Sequence, residues 1–201
     1  KVETDTAGAD TMHIWAGDLL LQEQDSSNTI QAFDNVRVWA EKFSSLSDSL
    51  FFDSASERFD LSGSPKTWNK NIQLNGPYIS VQLDSTEVKK LKAYQPAFAV
   101  QEDSITRRLN QLKGDTLIAD FEGGQISVIQ LFPNSQILYH TKNENDEPDG
   151  AMENSSPTTI LFFENGELIQ AKFGQNQGLF LPEYPELLQR RLDGFAWNPE
   201  L

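Results

Sequence analysis

The feature that most constrains this chain is apolar alternation with period two. It is broken at intervals of roughly ten residues by Gly, Pro, Asn and Asp, the pattern of a protein built from short strands. Four segments repeat one form: an alternating strand ending in an acid, a turn, a second strand, then Gly or Pro. They are Leu50–Asp53 with Arg58–Leu61, closing at Gly63 and Pro65, and Ile79–Asp84 with Val88–Leu91, closing at Pro96. The others are Leu117–Glu122 with Ile126–Leu131, closing at Pro133, and Ile160–Glu164 with Leu168–Phe173, closing at Gly174. Between their strands, Glu122-Gly123-Gly124-Gln125 and Glu164-Asn165-Gly166-Glu167 supply the positive φ that tight hairpin turns need. A hairpin cannot bury an apolar face alone, so repeated hairpins are expected to stack over a shared core.

The segments between these units carry the same signal. Phe33–Trp39 and Gln136–His140 alternate, and Val100–Asn110 reads as either a strand or a helical turn. Asn143–Gly150 is a polar loop with Pro and Asp-Gly punctuation. Helical periodicity is confined to Tyr184–Leu192, with Pro185 placed to start a short helix and Gly194 to stop it. The expected division is therefore a frayed or disordered start over residues 1–12, a β domain over 13–182, and a short helix and tail over 183–201.

Charge and composition narrow the partners. Thirty acidic against sixteen basic residues give a formal charge of −14, which repels nucleic-acid phosphates and anionic membrane surfaces. The longest bare apolar run, Thr159–Phe163, has the length of a buried strand, so no transmembrane segment is expected. Without cysteine there are no disulfides, thiolate metal sites or cysteine nucleophiles. The chain begins Lys1-Val2-Glu3 with no signal peptide, which a matured chain explains as well as a cytosolic one.

Catalytic constellations are scarce. The histidines are His13 and His140, and His140 alternates with Tyr139 as an ordinary strand residue does. No serine sits in a nucleophile elbow, no glycine loop fits a phosphate cradle, and Gly123-Gly124 is explained by its hairpin. Asn145–Gly150 has oxygen-bearing residues before a glycine. However, its twelfth position is Ser156 rather than a bidentate Glu, and Pro148 interrupts it, so no metal is expected there. Asn154-Ser155-Ser156 fits a glycosylation sequon. No cofactor and no catalytic residue is assigned. A hydrolase using a carboxylate pair ranks below the non-enzymatic readings.

The run Leu109-Asn110-Gln111-Leu112-Lys113-Gly114-Asp115, followed by Ile118–Ile126, resembles the "N-x-I-K-G … F-x-x-G-x-I" pattern of the OstA-like (LptA-like) lipopolysaccharide-transport family, particularly its larger Bacteroidetes versions. Leu138-Tyr139-His140, Gly150–Asn154 and Ile160–Leu168 follow in the family's order. Leu192-Asp193-Gly194-Phe195-Ala196-Trp197 resembles its "L-x-G-F-x-W" ending. Upstream, Asn35–Val38 and Leu61–Trp68 resemble its strand and "G-x-P" rungs, so the likeness covers roughly residues 30 to 198. Two departures stand out: Pro133-Asn134-Ser135 replaces a "G-N-G" turn, and the region of Ser156 lacks a common cysteine.

The resemblance implies an open β-jellyroll, a slab of stacked antiparallel hairpins whose two sheets meet in a V with an apolar inner face. It also implies a non-enzymatic periplasmic protein, its signal peptide removed or lying outside this sequence. Such a protein shelters lipopolysaccharide acyl chains during outer-membrane biogenesis and pairs through its edge strands with other β-jellyroll transport proteins. Burial of acyl chain yields roughly 0.8 kcal/mol per CH₂, so an apolar groove holds lipid without any catalytic group. By alternation the inward, lipid-facing set is Val36, Val38, Phe52, Phe59, Leu61, Ile79, Val81, Leu83, Leu117, Phe121, Ile129, Leu131, Phe163, Ile169 and Phe173. The same residues would equally form the sealed core of a structural or adhesive β-solenoid. In that case Trp39, Trp68 and Tyr94 on the outer face would bind a glycan or a protein.

Overall fold

The structure is a computed structural model that describes residues 2–3, 12–24, 27–40, 43–85 and 87–198. The chain opens with β1 (Val2–Glu3), β2 (His13–Trp15) and β3 (Asp18–Gln24), then two long strands, β4 (Ser27–Ala40) and β5 (Phe43–Asp53). Four short strands, β6 (Arg58–Ser62), β7 (Lys66–Asn69), β8 (Ile72–Asn75) and β9 (Tyr78–Asp84), precede a second long pair, β10 (Glu87–Glu102) and β11 (Leu109–Glu122). There follow β12 (Gln125–Phe132), β13 (Ser135–Lys142), β14 (Pro148–Ser156), β15 (Thr159–Glu164), β16 (Glu167–Phe173) and β17 (Gln177–Pro182). The expected frayed start falls almost wholly outside the described residues; within it, β1 pairs with β2.

All the strands join one antiparallel hydrogen-bonded network, but the long strands change partners halfway along. The first half of β4 pairs with β3 and the second half with β2, with the register broken between Phe33 and Val36. The first half of β10 pairs with β9 and the second with β8, broken between Tyr94 and Ala97. In β5, Ser49–Asp53 pairs with β6 and Ser44–Leu46 with β7, while β11 divides between β12 and β13. The network is thus a sheet folded over on itself. One wall runs β3, β4, β5, β6, β9, β10, β11, β12, β15, β16. The other runs β2, β4, β5, β7, β8, β10, β11, β13, β14, β17.

The residues that close the first three repeats mark the fold line. Gly63 and Pro65, Pro96, and Pro133 all lie where the chain passes from one wall to the other. Proline there interrupts a ladder it could not have completed, having no N–H to give. At Gly63 the φ is +81°, and a Cβ would lie 2.4 Å from the Asp48 side chain, so only glycine lets β6 turn against the bend of β5. The acids Asp53, Asp84, Glu122 and Glu164 stand at the opposite margin, each the last residue before a hairpin turn. Asn165 and Gly166 take φ values of 52° and 83°, the positive pair their sequence implied.

Between the walls lies one apolar core that draws on both, from Ile14 and Ile30 through Val81 and Leu112 to Phe163. The segment Val100–Asn110 is the end of β10, a turn and the start of β11. The helix expected over 184–192 is a single 3₁₀ turn, Pro185–Gln189, after which the chain leaves the helix at an extended Arg190 and turns once more at Asp193–Gly194.

That tail is a strap across the outer face of the second wall. Leu187 is fully buried against Leu138 and Ala151. The buried Gln111 donates from Nε2 to Arg190 O (3.1 Å) and accepts at Oε1 from Leu192 N (2.8 Å). Gln73 repeats the arrangement, donating to Ala196 O (3.0 Å) and accepting from Asn198 N (2.7 Å). Lys113 Nζ donates to Asp193 O (2.9 Å), Phe195 meets Phe98 edge-on, and Trp68 Nε1 donates to Asn198 O (2.7 Å). The "L-x-G-F-x-W" ending is therefore stitched at right angles over successive strands, its extended backbone read two residues apart by each glutamine.

Candidate functional site

The two inner walls differ chemically. On the first, the inward positions are apolar except for the buried Thr159, which is bonded to Ser135: Ile30, Ala32, Leu50, Phe59, Leu61, Ile79, Val81, Leu83, Leu91, Leu117, Ala119, Phe121, Ile129, Leu131, Leu161 and Phe163 are all buried. Cross-strand partners such as Phe59↔Val81, Leu61↔Ile79 and Ala119↔Ile129 share that face by register. On the strapped wall, Val36, Val38, Leu74, Ala99, Leu112 and Ile137 alternate with buried Ser45, Ser47, Thr67, Asn69 and Asn110. The Oγ atoms of Ser45 and Ser47 and Oδ1 of Asn154 are buried without a hydrogen-bond partner among the described residues.

All but three of the residues expected on the inner face are buried in this core. Phe52 and Phe173 are half-buried and packed against it, with Phe52 stacked on Phe59 at 4.4 Å. Ile169 differs: the register slips between Phe162 and Phe163, so Leu168 and Ala171 take the inward positions and Ile169 is 61% exposed. Midway along the slab the walls interlock, with Val36, Ile79, Val81 and Leu131 having no exposure, while cavities lie toward the hairpin tips and the β16–β17 end. Leu74, Ala99, Leu112 and Ile137 were not singled out by alternation. The strap buries the other face of their strands as well, and Ala97-Phe98-Ala99-Val100 therefore reads as a continuous apolar run.

Two cavities lie along the mouth. One, of about 280 Å³, has an apolar floor of Ile72, Ala99, Leu112, Ile126, Ile129 and Phe163 and a polar rim from the tips of both walls. The other, of about 570 Å³, lies at the β16–β17 end between Tyr139, Met152, Leu168 and Phe180. Above it Lys142, on the strapped wall, bridges to Glu167 on the apolar wall at 3.2 Å and to Asp103 at 3.4 Å. Burial works against the Lys142 charge, but its bonds to Glu167 and Asp103 outweigh it and raise the ammonium pKa above the usual lysine value. Asp103 is partly desolvated, yet the Thr106 and Ile105 N–H groups and the Thr106 hydroxyl hold its carboxyl below the usual range.

His140 points to the outer face of the strapped wall. Burial, with Arg108 and Arg191 nearby, pushes its pKa down to about 4 and keeps the ring neutral. It has no companion nucleophile, and its role is packing beneath the strap. Asn154, the sequon residue, is 4% exposed and offers no surface for a glycan. Of the outer-face aromatics, Trp68 is covered by the strap, whereas Trp39 is exposed beside His13 and Trp15. Among the described residues no His/Cys/Asp/Glu cluster is arranged to hold a metal ion, and no helix is long and apolar enough to cross a membrane.

A folded-over antiparallel sheet with an apolar interior and open strand edges at both ends defines an LptA-like β-jellyroll. Among solved structures, the chain is similar to LptH from Pseudomonas aeruginosa, the LptA-homologous periplasmic component of the conserved lipopolysaccharide transport device. The TM-score is 0.53 at 9% identity, over 71% of this chain and 95% of that one, a likeness of fold. No family model and no curated protein matches the sequence.

Proposed function

We propose that this chain is a non-enzymatic periplasmic carrier that shelters the acyl chains of lipopolysaccharide between its two walls. The observation that carries the proposal is the almost wholly apolar inner wall, with cavities at the hairpin tips, in a fold shared with a lipopolysaccharide-transport component. The inward set from Val36 to Phe173, without the outward Ile169, forms the bed, with Phe121, Ile129 and Phe163 nearest the mouth. The interlocked middle parts as lipid enters. Each CH₂ buried returns about 0.8 kcal/mol, so a few acyl chains outweigh the contacts the walls give up.

The slab's ends suit transfer to a neighbour. Among the described residues, β3 at one end and β16 and β17 at the other have one edge without a partner strand, and they bear exposed Leu20, Leu21, Ile169, Leu179 and Phe180. Such edges add strands from another β-jellyroll protein. One observation favours a second reading, an adhesive slab: the exposed Trp39 and Trp15 flank His13 on the outer face as a stacking platform for a glycan.

The test is displacement of a hydrophobic fluorescent dye from the purified protein by lipopolysaccharide and by its delipidated polysaccharide. Displacement by the lipid-bearing form alone supports the carrier. Binding of the polysaccharide alone, lost in Trp39→Ala, replaces it with the adhesive slab.

A further inference from the structure

The strap lies along two rows of outward side chains that cross the strapped wall at right angles to its strands. In the first row Gln111, Val100, Gln73 and Trp68 stand opposite one another from strand to strand, and Gln111, Gln73 and Trp68 bond the strap's backbone. In the second, Lys113, Phe98, Asn75 and Lys66 are aligned in the same way. These receive the strap's side chains: Lys113 pairs with Asp193, Phe98 meets Phe195, and Lys66 Nζ donates to Asn198 Oδ1 at 2.9 Å.

Both rows continue past the last described residue of the strap. Beyond Trp68 the first runs in register through Ser44 to Trp39 and His13, and beyond Lys66 the second runs through Leu46 to Arg37 and Trp15. On this stretch Trp39 is 51% and Trp15 44% exposed, a grouping of large apolar surface that marks an interaction site rather than scattered exposure. Trp39 stands in the row of Trp68, two strands on. Its indole N–H bonds no described residue, whereas that of Trp68 donates to Asn198 O at 2.7 Å. Arg37 is the one charged side chain that the two rows place on β5, β4 and β2. Asp34 lines the same recess beside Trp15, yet Arg37 forms no ion pair with it or with any other described residue.

The glycan reading draws on the same two indoles, but the rows in which they stand favour polypeptide. Where these rows are covered, what covers them is peptide, held through its N–H and C=O groups in the first row and through an acid and an aromatic ring in the second. We propose that the uncovered stretch docks an extended segment of a partner protein, laid in line with the strap. The segment carries an acidic residue for Arg37, as Asp193 serves Lys113, and an apolar residue against Trp39 and Trp15. Trp39 Nε1 donates to one of its carbonyls. The three strands span about 10 Å, the reach of about three or four extended residues. The inference is independent of what lies between the walls.

The test is fluorescence anisotropy of a labelled synthetic peptide with the sequence of Arg190–Asn198, the segment that already lies on these rows, added to the full chain. Trp39→Ala is expected to weaken its binding about tenfold or more, and Arg37→Ser about threefold. A peptide carrying Asp193→Asn is expected to bind the unaltered chain about threefold more weakly and to lose nothing further against Arg37→Ser, which couples the acid to that guanidinium. Melting curves check the folding of both variants, and Arg37→Ser with its paired peptide carries the test should Trp39→Ala fail to fold. No binding to the unaltered chain overturns the proposal, as does equal binding to a folded Trp39→Ala, which would mean exchange with the strap instead. Displacement of the peptide by delipidated polysaccharide overturns it in favour of the glycan platform.

Discussion

The two walls of the fold use their outer faces in opposite ways. The apolar wall buries one face and leaves the other to water, so its strands alternate and its side-chain bonds, such as Arg58 to Asp60 and Lys90 to Asp120, lie on the wet side. From β7 to β14 the strapped wall buries both faces. Its outer side carries Trp68, Gln73, Phe98, Val100, Gln111, Leu138 and Ala151 beneath the tail, held by paired amide bonds and by Arg190 on Glu153 at 2.5 and 2.9 Å. A wall covered on both sides is braced and a wall covered on one side is free to lean. Opening of the interior is therefore expected to be a movement of the apolar wall away from the strapped one, resisted at one end by the Lys142–Glu167 bridge.

Substitutions on each side test that contrast. The largest effect is expected inside the apolar wall: Leu117→Ala leaves a cavity in the sealed middle of the slab and should cost about 3–4 kcal/mol in urea unfolding. On the strapped wall, Gln111→Leu strips the partners from Arg190 O and Leu192 N and should cost about 2 kcal/mol. It should also speed hydrogen exchange of the Leu192 and Asn198 amides while leaving the β9 amides protected. Were the β9 amides to loosen equally, the strap would be no local brace.

A pH dependence separates the walls again. An unfolded chain takes up a proton on His140 near pH 6.5, whereas the folded ring resists protonation until about pH 4. Stability from this site is therefore full above about pH 6.5 and is lost as pH falls toward 4, by about 2 kcal/mol once solvent screening is allowed for. His140→Gln should flatten that part of the stability-versus-pH curve, and a variant of the apolar wall should not. The smallest effect belongs to the mouth. Lys142→Met, removing a partly exposed bridge, should change stability by less than about 1 kcal/mol yet raise the rate of dye uptake into the interior.

What was legible in the sequence follows the same division. The apolar wall could be read residue by residue, because one-faced burial enforces alternation. Phe59, Leu61, Val81, Leu117 and Phe121 all lie where the pattern put them. The turn chemistry located the hairpin tips, whereas Gly63, Pro65, Pro96 and Pro133 could be read only as the close of each repeat and not as a fold line. Ile169 was misplaced by a single bulge, which turns it outward between the inward Leu168 and Ala171, while Phe173 beyond it still packs inward. The strapped wall was harder to read, because a tail distant in sequence buries its second face and turns alternation into continuous runs. Gln73 and Gln111 gave no local sign of burial, as their partners lie in the last dozen described residues. The polar rim of the smaller cavity was equally hidden, since Asn and Gln at hairpin ends are ordinary turn residues until a cavity beneath them is seen.

The central claim is that lipid lies between the walls, and photo-crosslinking addresses it most directly. A photoreactive residue is placed in turn at Phe121, Phe163, the outward Gln82 and the strap-facing Trp68, and the folded protein is irradiated with lipopolysaccharide. The account requires adducts at Phe121 and Phe163 and none at Gln82 or Trp68. Adducts confined to the outer positions, or absent from all four, would mean that the interior is a sealed core and that the walls do not part for lipid.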